Sequence, residues 1–428
     1  MKNSVEAQYG SSFVSQASTY FLARIINALI PFLLLPILTR YLEPSEYGQV
    51  ALFQVWVALT GAICGLSVHG AAARKYFDYD NPEQHMGEYI AACLVLLVSS
   101  TTVLLLFAAL LSGWLSELIA LPRIWILIGV LFAFCNFLIQ LRLGQWQVRK
   151  QPKKFGAFQI SCSLMNMFLS LVLVVVMNFG VIGYLTAYTV SIVLFGVAAL
   201  ILLNRDHLIK KVWRPDLMRE AARFGVPLIP HIVGAFLLLT IDRAVIGARL
   251  GLDAAGYYMV AAQLALAMNL ILDSINKAYV PWLFERLKRD NPDEKRSIVI
   301  MTYGYNLFLL SGAALAFVIG DDLLVFIAGE RFAASGKLVA WLVLAQAFRG
   351  MYYMVCSYIF YANKTGVIAK ITITTGLLNV LLLFVMIDSF GLIGAAWAMC
   401  ISMVFQWLVT WRSASLLVSM PWSLEEAK

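Results

Sequence analysis

The chain has 428 residues, 61% of them hydrophobic and only 13% charged, with a mean hydropathy of +0.81 and a formal net charge of +8. A soluble domain is roughly 45–50% apolar and about 25% charged, so a soluble fold is excluded and lipid is the expected solvent. The basic excess then reads as the loop bias of a membrane protein rather than a nucleic-acid surface, and no polar segment is long enough to form a nucleic-acid reader.

The N-terminus, Met1 to Ser12, is polar with one lysine. The apolar run that follows is long enough to span, so a membrane helix is expected there and not a cleaved signal. About 20 mostly apolar residues cross a bilayer as a helix, and twelve runs meet that length. In the first half they lie near 14–38, 48–73, 88–112, 122–143, 156–177 and 181–203. In the second half they lie near 224–249, 256–282, 298–319, 336–361, 366–387 and 391–411. The runs are continuously apolar rather than alternating, which selects helices over a membrane barrel. The six cysteines all fall in these runs without metal-ligand spacing and read as small buried residues.

The two halves repeat one another. Phe179-Gly180-Val181-Ile182-Gly183 returns as Phe390-Gly391-Leu392-Ile393-Gly394, an offset of 211 residues. Lys154-Phe155-Gly156 returns as Lys364-Thr365-Gly366 at 210, and Leu42 and Gly48 return as Leu250 and Gly256 at 208. An even number of spans per half makes these parallel repeats, an arrangement that places a transporter's substrate site between the halves. The expected organisation is a six-helix bundle over 1–203, a basic linker over 204–223, a second six-helix bundle over 224–412 and a tail over 413–428. The fold class is all-α integral membrane, two pseudo-symmetric bundles around a central cavity.

Lys and Arg set the orientation. With both termini cytoplasmic, the other side receives only Arg40, Arg123, Arg249, Arg331 and Lys337, while the remaining loop cations fall on the cytoplasmic side. The linker carries Lys210, Lys211, Arg214, Arg219 and Arg223, and is expected to form an amphipathic helix with Trp213 and Leu217 on the bilayer surface. Pro31 and Pro36 in the first span, and Pro227 and Pro230 in the seventh, predict bendable helices at equivalent places.

Charges inside spans are costly and mark function. Arg142 and Lys370 lie one turn from the cytoplasmic face and are expected to snorkel. Arg24, Asp242, Arg243, Asp273, Lys277 and Arg349 lie deeper. Asp273 and Lys277 share a helix face at i,i+4; Asp242 and Arg243, being adjacent, point about 100° apart on a helix, so no simple local pair is expected. Arg349 either pairs with one of the two aspartates or stays free for an anion. His69 sits at the repeat equivalent of Lys277. Cations outnumber carboxylates, which favours an anionic substrate. Arginine in particular suits phosphate, so a diphosphate fits, with Tyr353 among the aromatics placed to meet attached sugar. No GxxxxGK[ST] loop, no HExxH and no large outer loop occurs, so ATP hydrolysis at a P-loop, metal chemistry and a catalytic outer domain are not expected.

The stretch Pro36-Ile37-Leu38-Thr39-Arg40-Tyr41-Leu42-Glu43-Pro44-Ser45-Glu46-Tyr47-Gly48 resembles the first outer turn of Wzx-type O-antigen and capsule flippases. These belong to the multidrug/oligosaccharidyl-lipid/polysaccharide exporter superfamily. Asp242-Arg243 with Ile246-Gly247, and Pro281-Trp282-Leu283, are similar to that family's seventh and eighth helices. The resemblance covers the chain and implies a V-shaped pair of bundles with a cationic cavity in a bacterial inner membrane. It implies transfer of undecaprenyl-diphosphate-linked oligosaccharide repeat units from the cytoplasmic to the periplasmic leaflet by alternating access. No catalytic residue, metal or cofactor is then expected. Arg24, Arg243, Lys277, Arg349, His69 and Tyr353 become the anion- and sugar-binding candidates. Asp242 and Asp273 become candidates for coupling to H+ or Na+, or structural counter-ions. A polysaccharide polymerase and chain-length proteins are the partners this reading allows. The competing readings are a multidrug or cation antiporter of the same fold, a peptidoglycan-precursor flippase and, more distantly, a membrane polymerase or glycosyltransferase.

Overall fold

The computed structural model describes residues 22–423 apart from 24 and 211, and leaves the side chain of residue 231 undescribed. Among the described residues the chain is helical throughout: α1 (Ile25–Tyr41), α2 (Pro44–Cys64), α3 (Val68–Lys75), α4 (Pro82–Leu110), α5 (Ser112–Ile119), α6 (Arg123–Val148), α7 (Pro152–Ser170) and α8 (Gly180–Arg205). There follow α9 (Pro215–Gly225), α10 (Ile229–Leu239), α11 (Ile241–Leu250), α12 (Leu252–Arg289), α13 (Pro292–Ala328), α14 (Gly336–Tyr361), α15 (Thr365–Phe390) and α16 (Leu392–Leu417). Hydrocarbon offers no partner for a free peptide group, so each span satisfies its backbone internally. Among the described residues eleven helices are long and apolar enough to cross a membrane, and Ile25–Tyr41 is a shorter apolar one. This is a multi-pass membrane protein with twelve apolar spans. Large side chains such as Leu106, Val318 and Phe326 remain exposed, as a lipid-facing surface requires.

The chain divides into two compact units, Met1–Leu42 with Leu52–Ile232, and Glu43–Ala51 with Val233–Lys428. In the first, α3, α4, α6, α8 and α9 close over a core that includes Val68, Cys93, Leu97, Leu138, Leu203 and Leu217. In the second, Leu283, Val299, Tyr358 and Ile359 from α12, α13 and α14 form the centre of another. Within the second unit the first turns of α2 cross α12 at very close range. A Cβ on Gly48 would fall 2.0 Å from the Leu252 carbonyl oxygen, and one on Gly256 would fall 1.8 Å from that of Pro44. The contact is reciprocal, because Pro44 and Gly48 are related to Leu252 and Gly256 by the same 208-residue offset.

Two spans are discontinuous where continuous helices were expected. The second breaks between α2 and α3 at Leu66 and Ser67, both left-handed, with φ of 43° and 52°. The Ser100 hydroxyl takes up the freed carbonyl of Cys64, and Gly225 at the end of α9 sits against the Leu66 carbonyl, where a Cβ would approach to 1.7 Å. The seventh span breaks at Thr240, between α10 and α11. Pro227 and Pro230 lie ahead of this break, in a 3-10 turn (Val226–Leu228) and in the first turn of α10, where a missing N–H is tolerated.

The linker does form an amphipathic helix, α9, but its apolar residue Leu217 is buried against the first unit's core instead of lying on lipid; Trp213 is 69% exposed. Lys75 clamps Glu220 on this helix at 2.6 Å, and Arg214 reaches Glu88 at 2.8 Å. Arg142 corrects another expectation. It does not snorkel: it is 1% exposed, ion-paired to Asp206, with its guanidinium 4.1 Å from the Trp146 ring. Asp206 arrives from beyond the end of α8, too far along the chain for local spacing to reveal it. Asp206→Ala, which strands a buried guanidinium, should lower stability by about 3 kcal/mol, seen as a lower thermal midpoint in detergent. Lys370 is exposed, as snorkelling requires.

Candidate functional site

The deeper intramembrane charges of the second unit fall into two clusters along α12, with members on α11 and α14, rather than one. The first is at the break in the seventh span. Asp242, 3% exposed, accepts the Arg243 backbone N–H at 2.9 Å, and the Arg243 Nη1 lies 3.4 Å from the same oxygen. Adjacent residues pair here, against the helical-wheel expectation, because Asp242 occupies the first turn of α11 and its carboxylate folds back over the open helix end. Arg243 Nη1 also donates to the Leu239 carbonyl at 3.1 Å, a group that the break releases from its helical partner. The Tyr258 side chain lies beside Asp242 and completes the cluster. Arg243 therefore balances a carboxylate and repairs a broken helix.

The second cluster begins about 16 Å further along α12, given 1.5 Å per residue. Arg349, in the interior of α14, donates through Nε to the Tyr353 hydroxyl at 3.0 Å, and that hydroxyl donates to Asn269 Oδ1 on α12 at 3.3 Å. The Arg349 guanidinium carbon is 5.8 Å from the Tyr353 ring centre. Among the described residues no carboxylate pairs with Arg349; both candidates are engaged elsewhere. Asp273, one turn beyond Asn269, is ion-paired to Lys277, and both remain about half exposed. Asn269, Asp273 and Lys277 follow at i, i+4 and i+8, so they share a face of α12.

The structure therefore brings Arg349 and Tyr353 into direct contact, joins them to the α12 face that carries Asp273 and Lys277, and keeps Asp242 and Arg243 apart. His69 belongs to the first unit. Arg24 lies outside the described residues. Tyr353 thus holds the Arg349 guanidinium through one hydrogen bond and its ring.

Charge counting missed a third feature. In the first unit a cavity of about 580 Å³ is lined by Gln54, Val57, Ala58, Gly61, Ala62, Ser67, His69, Asn136, Phe137, Gln140, Tyr188 and Ile232. It opens beside the break in the second span, as polar cavities at discontinuous helices do. Among the described residues no carboxylate, lysine or arginine lines it. The signal in the sequence was Asn136 and Gln140 at i,i+4 inside an apolar run, uncharged amides that a search for charges passes over.

The sequence profile of a family described as "Polysaccharide biosynthesis protein" matches residues 13–286, more than half of the chain. The chain belongs to this polysaccharide biosynthesis family. Among its relatives are the "Lsg locus putative protein 1" of Haemophilus influenzae, 24% identical over 84% of this chain and 88% of that protein, and the "Probable low-salt glycan biosynthesis flippase Agl15" of Haloferax volcanii, 18% identical over 89% and 79%. Solved structures share the family member's fold. The lipid II flippase MurJ in an inward closed conformation superposes with a TM-score of 0.73 at 13% identity, covering 97% of this chain and 89% of that one. A multidrug-resistance MATE transporter of the MOP superfamily, inward-facing, superposes at 0.70 with 15% identity, covering 91% and 94%. The resemblance read from residues 36–48 and the seventh and eighth spans thus holds at the level of family and of the twelve-span fold. Family and fold together make this a multi-pass membrane protein of a polysaccharide biosynthesis family, built on the fold those solved structures share.

Proposed function

We propose that this protein flips an undecaprenyl-diphosphate-linked oligosaccharide repeat unit from the cytoplasmic to the outer leaflet by alternating access, in the inner membrane of a bacterium with both chain termini cytoplasmic. The observation that carries the reading is Arg349: an arginine in the interior of a membrane helix, oriented by Tyr353 and Asn269 and unpaired by any described carboxylate. Such a group is favourable only beside water or an anion, and its planar fork matches a phosphate. Lys277 adds a second cation whose carboxylate partner is exposed and exchangeable. Membership of a polysaccharide biosynthesis family, and a relative named for glycan flipping, supply the glycan.

The cation-antiporter reading is weaker, because both described intramembrane aspartates are already neutralised, Asp242 by Arg243 and Asp273 by Lys277. Asp242 is the candidate for coupling to H+ or Na+: it is buried beside a cation and a hydroxyl, where a change of protonation would remake the joint between α10 and α11. A polymerase and chain-length proteins would consume the flipped unit. Deleting the gene tests the proposal. Lipid-linked repeat units should accumulate with their sugar facing the cytoplasm, while resistance to cationic dyes stays unchanged. Undiminished delivery to the outer face would contradict it.

A further inference from the structure

We infer that the cavity in the first unit is a glycan subsite that recognises an uncharged, hydroxyl-rich sugar; this deepens the flippase reading and rests on it. The chemistry of the lining selects the ligand. Gln54, Asn136 and Gln140 offer primary amides, each able to donate and accept, and none makes a side-chain hydrogen bond within the described residues. His69 Nδ1 is buried without a partner. The unsatisfied His69 Nδ1 costs stability, while the three amides, intermediate or exposed, remain open; together they are placed to meet something polar: water when empty, and a ligand when filled. Charge selects further. With no lysine or arginine among the described lining residues, a phosphate has no permanent counter-ion there, and with no carboxylate among them an organic cation has none either. What remains is a neutral molecule rich in both donors and acceptors. Tyr188, packed on Phe132 at 4.7 Å between ring centres, supplies a flat apolar wall and a hydroxyl. The volume falls within the range of about 300–1,000 Å³ typical of small-molecule sites.

Gly61 gives a clean way to close the cavity. It lines the cavity, and a Cβ built there meets nothing within 4 Å. A leucine at this helical position would grow into the empty space and also favour the helix. The test is equilibrium binding of the purified full chain to undecaprenyl diphosphate and to the same lipid carrying one neutral hexose. Wild type should bind the hexose-bearing probe about tenfold more tightly, the worth of one or two net hydrogen bonds. Gly61→Leu and Asn136→Ala should each abolish most of that increment and keep the affinity for the bare probe, which also shows that they fold. Arg349→Ala should weaken both probes. The subsite is overturned if either variant keeps the sugar increment, if the variants lose both probes equally, or if wild type binds both probes alike. Failure of wild type to bind either probe would instead sink the flippase reading on which the subsite rests.

Discussion

Arg349→Ala should abolish leaflet transfer of a polyprenyl-diphosphate glycan while the protein still inserts, folds and purifies at wild-type yield. Removing charge-assisted hydrogen bonds to a phosphate should weaken binding by about tenfold to a hundredfold. Lysine restores the charge but not the fork, so Arg349→Lys should recover part of the loss, and Arg349→Glu none of it. Little structural damage is expected from Arg349→Ala, because among the described residues its polar and ring contacts are to Tyr353 and no buried carboxylate is left stranded. Wild-type transfer by a well-folded Arg349→Ala protein would remove the residue from the substrate path. Transfer by Arg349→Glu would contradict the anion argument as a whole.

Gly256→Val should destabilise the protein by about 3 kcal/mol or more, the upper end expected for overpacking. The obstacle is backbone: a Cβ at this position would lie 1.8 Å from the Pro44 carbonyl oxygen, and no rotamer change relieves that. Gly48→Val should do the same against Leu252. Gly312→Ala is the matched control, in α13 with nothing within 4 Å of the added Cβ; it should be neutral or gain up to about 1 kcal/mol in helix propensity. Thermal unfolding in detergent distinguishes them. Equal midpoints for Gly256→Val and Gly312→Ala would show that the crossing of α2 on α12 is not tightly packed.

The spans were legible because membrane insertion depends on apolar length alone, a local property of the chain. The ends were less so: α12 runs on to Arg289, seven residues past the apolar stretch, because a helix that leaves the membrane has no reason to stop there. The breaks were not legible. Nothing in Gly65-Leu66-Ser67 demands a turn without the docking of Gly225 against the Leu66 carbonyl, a contact from a distant part of the chain. The same holds at Thr240, where the prolines at 227 and 230 pointed to the wrong place. Charged residues stood out individually, yet their partners did not. Arg142 is tied to Asp206, and Arg243 is held by its neighbour, only because of how the helices end. Arg349 and Tyr353, four apart on α14, were readable as a pair. Their link to Asn269 was not, since it crosses between helices. The amide-lined cavity was overlooked for a different reason: Gln54, Asn136 and Gln140 carry no charge to flag them, and only the fold shows that they converge.

The most direct measurement is leaflet transfer in sealed proteoliposomes holding the purified chain, with a labelled undecaprenyl-diphosphate oligosaccharide and a cationic dye as parallel substrates. The account predicts transfer of the glycolipid, loss of that transfer in Arg349→Ala, and no movement of the dye. Dye movement without glycolipid transfer would contradict it and make the chain a cation transporter on the same fold.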